Sequence, residues 1–171
     1  MNRELLEKLA SLERRIGALE RQERPVPVVA VYQTNASQSI AHNTETVVNF
    51  EDEVIDTHGA VTVGAAWVFT APLAGYYYVR AMVMFAATGT WAEGEVIQLG
   101  LYKNGSGRHA LVYRNGLDSS GGSYLHSAGG ATVVQLATGD TLAIKVLQTS
   151  GGSLSLASNG NYNHISIFRI H

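Results

Sequence analysis

Residues 164–170, His-Ile-Ser-Ile-Phe-Arg-Ile, end the chain with a predicted β-strand that is apolar on both faces. Successive side chains of a strand point to opposite sides, so Ile165 and Ile167 share one face and Phe168 and Ile170 share the other. A strand that is apolar on both faces is normally covered on both faces. A two-layer sandwich covers one of them. The other face therefore predicts contact with a further element or with another chain.

The preceding sequence, from residue 28, also reads as β-structure. Short strand-like runs alternate with glycine-bearing turns, the pattern of an all-β sandwich. Residues 141–148 place Leu142, Ile144 and Val146 on one face, which we expect to lie in the core. Asn104-Gly105 is a strong signal for a tight hairpin turn. The sequence thus predicts one β-head over residues 31–171.

The first 24 residues follow a different period. Apolar residues recur at alternating intervals of four and three, at Leu5, Leu9, Leu12, Ile16 and Leu19. This spacing forms a stripe along a helix and is typical of a coiled-coil seam. Prolines at positions 25 and 27 end the helix, because proline lacks an N–H and disfavours helix in the residue before it. We therefore predict a coiled-coil stem over residues 1–24 and a linker over residues 25–30 that leads into the first strand.

The charges beside the seam predict its direction. In a parallel bundle, Lys8 faces Glu13 of a neighbouring helix and Arg15 faces Glu20, which pairs opposite charges both times. An antiparallel bundle would bring like charges together. The alternative is a single amphipathic helix packed on its own head. Leu6 supports this alternative because its side chain widens the apolar stripe. The seam does not fix the number of helices.

Composition excludes several classes of function. The 171 residues are 46% apolar and contain no cysteine, which excludes disulfides, thiol catalysis and cysteine–zinc sites. No apolar run reaches the roughly 18 residues of a membrane helix. Half of the twelve Lys and Arg residues lie in residues 1–24, so the head has little attraction for nucleic acid. The heptads start almost at Met1 with no leader before them, and we expect synthesis in a cytoplasm.

Catalytic patterns are absent from the sequence. The six histidines are scattered singly, without metal-ligand spacing, and no Gly-x-Ser-x-Gly motif occurs. We expect no enzymatic activity, no catalytic residues and no cofactor. A metal bound by one histidine from each chain of an oligomer stays an alternative. The acidic residues Glu51, Asp52, Glu53 and Asp56 are a candidate structural calcium site, although a solvated loop is the simpler interpretation.

Aromatic residues supply the candidate contacts. Trp91 lies in the polar stretch 88–95, and we predict that it is exposed and contacts a ligand. Tyr76 and Tyr78 share one face of a predicted strand, whereas Tyr77 takes the other. At least one of these faces is expected to pack in the core or at an interface.

Four segments in chain order resemble the C1q/tumour necrosis factor superfamily, specifically the C1q-like globular domain. They are residues 69–79 (FTAPLAGYYYV), 101–105 (LYKNG), 130–140 (GATVVQLATGD) and 165–170 (ISIFRI). The resemblance covers about residues 28–171. It implies a ten-stranded jelly-roll sandwich that assembles as a homotrimer. The candidate interface of the heads is then formed by Tyr76, Tyr78, Ile165, Ile167, Phe168 and Ile170.

The resemblance also suggests a setting. The chain lacks the collagen-like Gly-X-Y stalk of the animal proteins, whereas phages and bacteria carry such heads on short coiled coils. We expect a virion protein, a fibre, spike or capsid decoration, whose stem docks on a capsid or tail protein. Its head would face a host-surface glycan or protein. The alternative is a bacterial C1q-like protein at the cell surface that binds a glycan or a protein outside any virion.

Overall fold

The computed structural model describes residues 3–20, 26–86, 91–115 and 126–170, without the side chains of residues 18–20, 107–110 and 112–115. This part of the chain contains one helix followed by strands. The elements are α1 (Arg3–Glu20), β1 (Val29–Gln33), β2 (Ser39–Ile40), β3 (Thr46–Val47), β4 (Asp52–Asp56), β5 (Val61–Thr62), β6 (Val68–Thr70), β7 (Gly75–Met84), β8 (Val96–Lys103), β9 (Ser106–Asn115), β10 (Ser127–Leu136), β11 (Thr141–Gln148), β12 (Leu154–Ser155) and β13 (His164–Arg169).

Two antiparallel sheets form the sandwich. One has five strands in the order β10-β7-β13-β1-β4, and the other has the order β5-β6-β11-β8-β9 with β3 beside β11. Strands β12 and β2 form a small separate pair. The predicted all-β sandwich with an N-terminal helix is confirmed. Its described part has thirteen strands rather than the ten that the resemblance implies, and four of them are only two residues long.

The core lies between the two larger sheets. Strand β11 alternates as predicted, with Leu142, Ile144 and Val146 all buried. Trp67, just before β6 of the same sheet, is also buried in this core, and its indole N–H donates to the carbonyl oxygen of Phe50 at 3.0 Å. This bond satisfies the polar atom of a large buried ring, so the ring can fill the core without an unpaired donor.

The Asn104-Gly105 turn joins β8 to β9 as the sequence predicts. Both residues have positive φ, 51° and 72°, the conformation that an Asn-Gly hairpin turn requires. The turn is tied to Asp140, whose carboxylate lies 2.8 Å from Lys103 Nζ and accepts the Asn104 side-chain amide at 2.9 Å. The hydrogen bond from Lys103 is the main cause that lowers the pKa of Asp140, from 3.8 to about 2. Hence one carboxylate joins the β8–β9 hairpin to the turn before β11.

Helix α1 leaves its apolar stripe uncovered within the chain. Leu5, Leu9, Leu12 and Ile16 each remain about half exposed, which speaks against a helix that packs on its own head. The side chain of Lys8 lies 2.9 Å from Glu4 within the helix. The pairing of Lys8 with Glu13 and of Arg15 with Glu20 across chains stays a prediction, and the side chains of Leu19 and Glu20 lie outside the described residues. No helix in the described ranges is long and apolar enough to cross a membrane.

Candidate functional site

No metal-binding group of three or more His, Asp or Glu side chains is found in the described part of the chain. Two described histidines have separate hydrogen-bond partners within the chain. His42 Nδ1 accepts the backbone N–H of Gly151 at 3.0 Å, and His58 Nδ1 lies 2.9 Å from the Thr57 hydroxyl. The side chain of His109 and all of His171 lie outside the description.

The acidic cluster around residues 51–56 forms an edge strand and not the expected solvated loop. Strand β4 pairs with β1, with a register shift after Val31. Glu51, just before the strand, accepts the backbone N–H groups of Asn35 and Ala36 at 2.8 and 2.7 Å. Burial would raise the pKa of Glu51, but the Thr34 hydroxyl and these N–H groups outweigh burial and lower it. This carboxylate thus holds the loop that follows β1.

The other three carboxylates of the cluster also face donors of their own chain. Asp52 accepts the Gln33 side-chain amide at 2.7 Å, and Glu53 Oε2 lies 3.0 Å from the Tyr32 hydroxyl. Asp56 accepts the N–H of Ala60 at 2.7 Å. Burial, followed by the hydrogen bond to Glu53, raises the pKa of Tyr32. The oxygens are thus spread over backbone and side-chain donors rather than converging on one cation position.

Trp91 is buried, so the prediction that it is an exposed contact residue is wrong. Its side chain is 7% exposed and packs edge-on against Phe85, with ring centroids 5.6 Å apart. On another side it meets the His126 ring at 5.0 Å. Apolar burial outweighs the polar character of its sequence neighbours. Trp91 therefore belongs to the core.

The last strand alternates as predicted, but its two faces have different roles. Ile165 and Ile167 are buried in the core of their own chain, so they cannot supply a free interface, and this part of the predicted interface is corrected. Their side chains are already covered by the opposite sheet. Phe168 and Ile170 point to the outer face and stay exposed. Sequence alternation separated these two pairs without showing which one the chain itself covers.

Strand β7 shows the same division. Tyr77 points inward, is fully buried and donates its hydroxyl hydrogen to the Leu73 carbonyl oxygen at 2.6 Å. Burial raises the pKa of Tyr77. Tyr76 and Tyr78 point outward and are exposed. The two tyrosines therefore share the outer face of the five-stranded sheet with Phe168 and Ile170.

These side chains form one patch in two rows, which we call the apolar patch: Tyr76, Tyr78, Val133, Phe168 and Ile170. In the first row, Tyr78 is the register partner of Val133 on one side and of Phe168 on the other. In the second row, the N–H of Ile170 donates to the carbonyl oxygen of Tyr76 at 2.8 Å. Neighbouring strands lie about 4.8 Å apart, so the side chains within each row are in reach of one another.

Val133 is a member of the patch that sequence reasoning missed. It is 54% exposed and lies on β10, between the outward Ala131 and Gln135. The alternation of the sequence gives the signal, because Val133 and Leu136 fall on opposite faces of one strand. Leu136 is buried, so the same alternation places Val133 on the outer face.

The apolar patch can act by burial and not by proton transfer. Soluble monomers rarely keep contiguous apolar side chains from several strands in water, and such patches mark interaction sites. The aromatic members offer large, rigid contact areas, which dominate the energetics of interfaces. The arrangement thus favours association with another protein surface.

Comparison with solved structures shows which fold this is. Eiger TNF from S. frugiperda superimposes with a TM-score of 0.63 and 16% identity, over 86% of this chain and 94% of that one. Murine APRIL gives a TM-score of 0.59 and 16% identity, over 84% and 99%. The globular domain of zebrafish complement 1qA gives 0.56 and 17%, over 84% and 98%. The chain has a C1q/TNF-like fold, as the resemblance of its motifs implied.

Searches by sequence find no counterpart: no protein-family profile matches the chain, and no curated protein does. At 16–17% identity, the structural likeness shows the fold alone.

Proposed function

We propose that the chain is a non-enzymatic homotrimeric structural and binding module, assembled through the outer face of its five-stranded sheet. The observation that carries the proposal is the apolar patch, in which five large side chains from three adjacent strands remain exposed in the single chain. Covering them with a second protein surface removes apolar area from water and stabilises the assembly.

Two features support three copies in a ring. The fold is C1q/TNF-like, and trimeric assembly is what the motif resemblance implied for this fold. The apolar patch lies towards the β10 side of the sheet, whereas the exposed Val54 and Ile55 lie on β4 at its other edge. A closed ring joins two different surfaces of neighbouring protomers, which a sheet with two distinct apolar regions provides.

Helix α1 would act as the stem of this trimer. Its half-exposed leucines need partners, and a parallel bundle supplies them while pairing Lys8 with Glu13. Three heptads are marginal for an isolated bundle, so the heads would hold the stems together. The three stems would together form one docking element of the trimer.

The setting that we propose is a phage virion, in which the protein forms a fibre, spike or capsid decoration. The stem would dock on a capsid or tail protein, and three equal head surfaces would contact a host-surface glycan or protein. Multivalent contact of this kind raises avidity although each single contact is weak. The pairing of a short helical stem with a compact head supports this setting. The alternative remains a bacterial C1q-like binding protein at a cell surface.

Two measurements test the proposal. Chemical cross-linking of the dilute full-length chain should stop at a three-chain product, and a single-chain product alone would refute the assembly. For the setting, purified virions from the source should contain the chain by mass spectrometry and should bind added full-length protein. A variant without residues 1–24 should not bind. Detection on bacterial cells and not on particles would favour the alternative.

A further inference from the structure

One cation interrupts the outer face of the five-stranded sheet. Arg80 lies near the middle of β7 and points to the same side as Tyr78, two residues earlier. Its register partners are Ala131 on β10 and Ser166 on β13, the central strand of the sheet. Two residues along a strand correspond to about 6.6 Å. Arg80 therefore lies directly beside the apolar patch.

The described part of the chain offers Arg80 neither a hydrogen-bond acceptor nor an ion-pair partner. The described carboxylates of the head, with one exception, accept hydrogen bonds from other groups. Except for Glu93, which precedes β8 in the other sheet, each described head carboxylate already accepts a hydrogen bond from its own chain. These are Glu45, Glu51, Asp52, Glu53, Asp56, Glu95 and Asp140.

The positive charge of Arg80 acts on His164, a neighbour on the same face of the sheet. His164 is the register partner of Met82, one outward position further along β7. Burial is the main cause that lowers the pKa of His164, and the positive charge of Arg80 lowers it further. This face of the single chain thus presents a cationic centre beside apolar side chains.

An open groove of about 500 Å³ lies next to Arg80, over β7 and β10. Its lining includes several small residues, and no side chain of the described ranges fills it. The residues that line it with Arg80 include Met82, Ser127, Gly129, Gly130 and Ala131. A neighbouring copy that covers the apolar patch would also close over this groove.

Closing the groove creates an electrostatic problem. An arginine stays charged, and burial of a charge without a partner is strongly unfavourable. A tetrahedral oxyanion solves the problem, because a guanidinium holds two of its oxygens at once.

We infer that each groove of the trimer encloses a small oxyanion of the phosphate or sulfate class, bound by the guanidinium of Arg80. The inference rests on the proposed trimer, because the neighbouring copy completes the site. The anion neutralises a cation that the assembly would otherwise bury alone. It therefore links trimer stability to the phosphate or sulfate concentration.

The test compares the full-length wild type with Arg80→Met and with a matched control, Lys145→Met. Lys145 carries its charge over the Tyr102 ring, 4.3 Å from the ring centroid, on the other sheet. Thermal unfolding is followed in chloride and in inorganic phosphate at equal ionic strength. Equilibrium dialysis with radiolabelled phosphate counts the bound anions, and sedimentation reports the mass of each protein.

Phosphate should raise the melting temperature of the wild type and of Lys145→Met by several degrees, with bound phosphate in both. Arg80→Met should show neither effect while it remains a trimer. A wild-type trimer that binds no phosphate, or an Arg80→Met trimer that binds as much as the wild type, overturns the inference alone. A monomeric wild type instead overturns the proposed trimer, and the enclosed site with it.

Discussion

Replacing Phe168 by aspartate should dissociate the trimer without unfolding the head. Phe168 lies on the outer face of β13, and its register partners Tyr78 and Val29 lie on the adjacent strands. The side chain points away from the core, so the substitution removes no core contact. In the assembly, the same position would place a carboxylate in an apolar interface.

The magnitude follows from the exposed area of the ring. Phe168 is 39% exposed, and an aromatic side chain offers about 200 Å², so about 80 Å² is available for burial. At about 25 cal/mol per Å², this contributes about 2 kcal/mol for each protomer. Loss of three such contacts weakens association by about 6 kcal/mol, or about four orders of magnitude. Desolvation of the new carboxylate adds to the loss.

Sedimentation velocity over a dilution series measures the effect. The matched control is Val63→Asp, which places the same charge at a 50% exposed valine after β5, at the edge of the other sheet. The control should sediment as the wild type does, whereas Phe168→Asp should sediment as a single chain. Circular dichroism should show an unchanged β-head in both variants.

Two results would contradict this role of Phe168. If Phe168→Asp keeps the wild-type mass at every concentration, the apolar patch is not the interface. If Val63→Asp dissociates as readily, the effect comes from added charge and not from the position of Phe168.

Three further predictions concern the stem, the hairpin network and the core. A chain without residues 1–24 should remain a trimer with weaker association, measured by light scattering; a monomer would assign assembly to the stem. The folded pKa of Asp140 is lowered to about 2 from 3.8, so its contribution to stability is present above about pH 4 and is lost as the pH falls towards 2. Asp140→Asn should remove this part of the acid dependence of urea unfolding. A pH profile that is unchanged in this variant would contradict the contribution of the Asp140 carboxylate. Trp91→Ala should lower the free energy of unfolding by about 3–5 kcal/mol, because it opens a cavity beside Phe85; a loss below about 1 kcal/mol would contradict its place in the core.

Local signals in the sequence predicted most of the fold. The period-two alternation of residues 141–148 and the Asn104-Gly105 turn depend only on neighbouring residues, and both are confirmed. The predicted helix is also present, over Arg3–Glu20. Its coiled-coil pairing remains a prediction because that pairing depends on other chains.

The candidate site was harder to predict from the sequence, because it depends on which face of each strand is covered by the same chain. The last strand is apolar on both sides, and only the pairing of the two sheets shows that Ile165 and Ile167 are the covered pair. Trp91 has polar neighbours in sequence, yet its ring contacts are Phe85 and His126, one of them 35 residues along the chain. Such contacts between distant segments leave no periodic trace in the sequence.

The most direct test of the central claim is the mass of the full-length wild-type chain in solution by sedimentation equilibrium. We expect a single species with three times the 18.3 kDa of one chain. A species of one chain at concentrations well above those in the cross-linking experiment would contradict it. Such a result would mean that the apolar patch stays in contact with water.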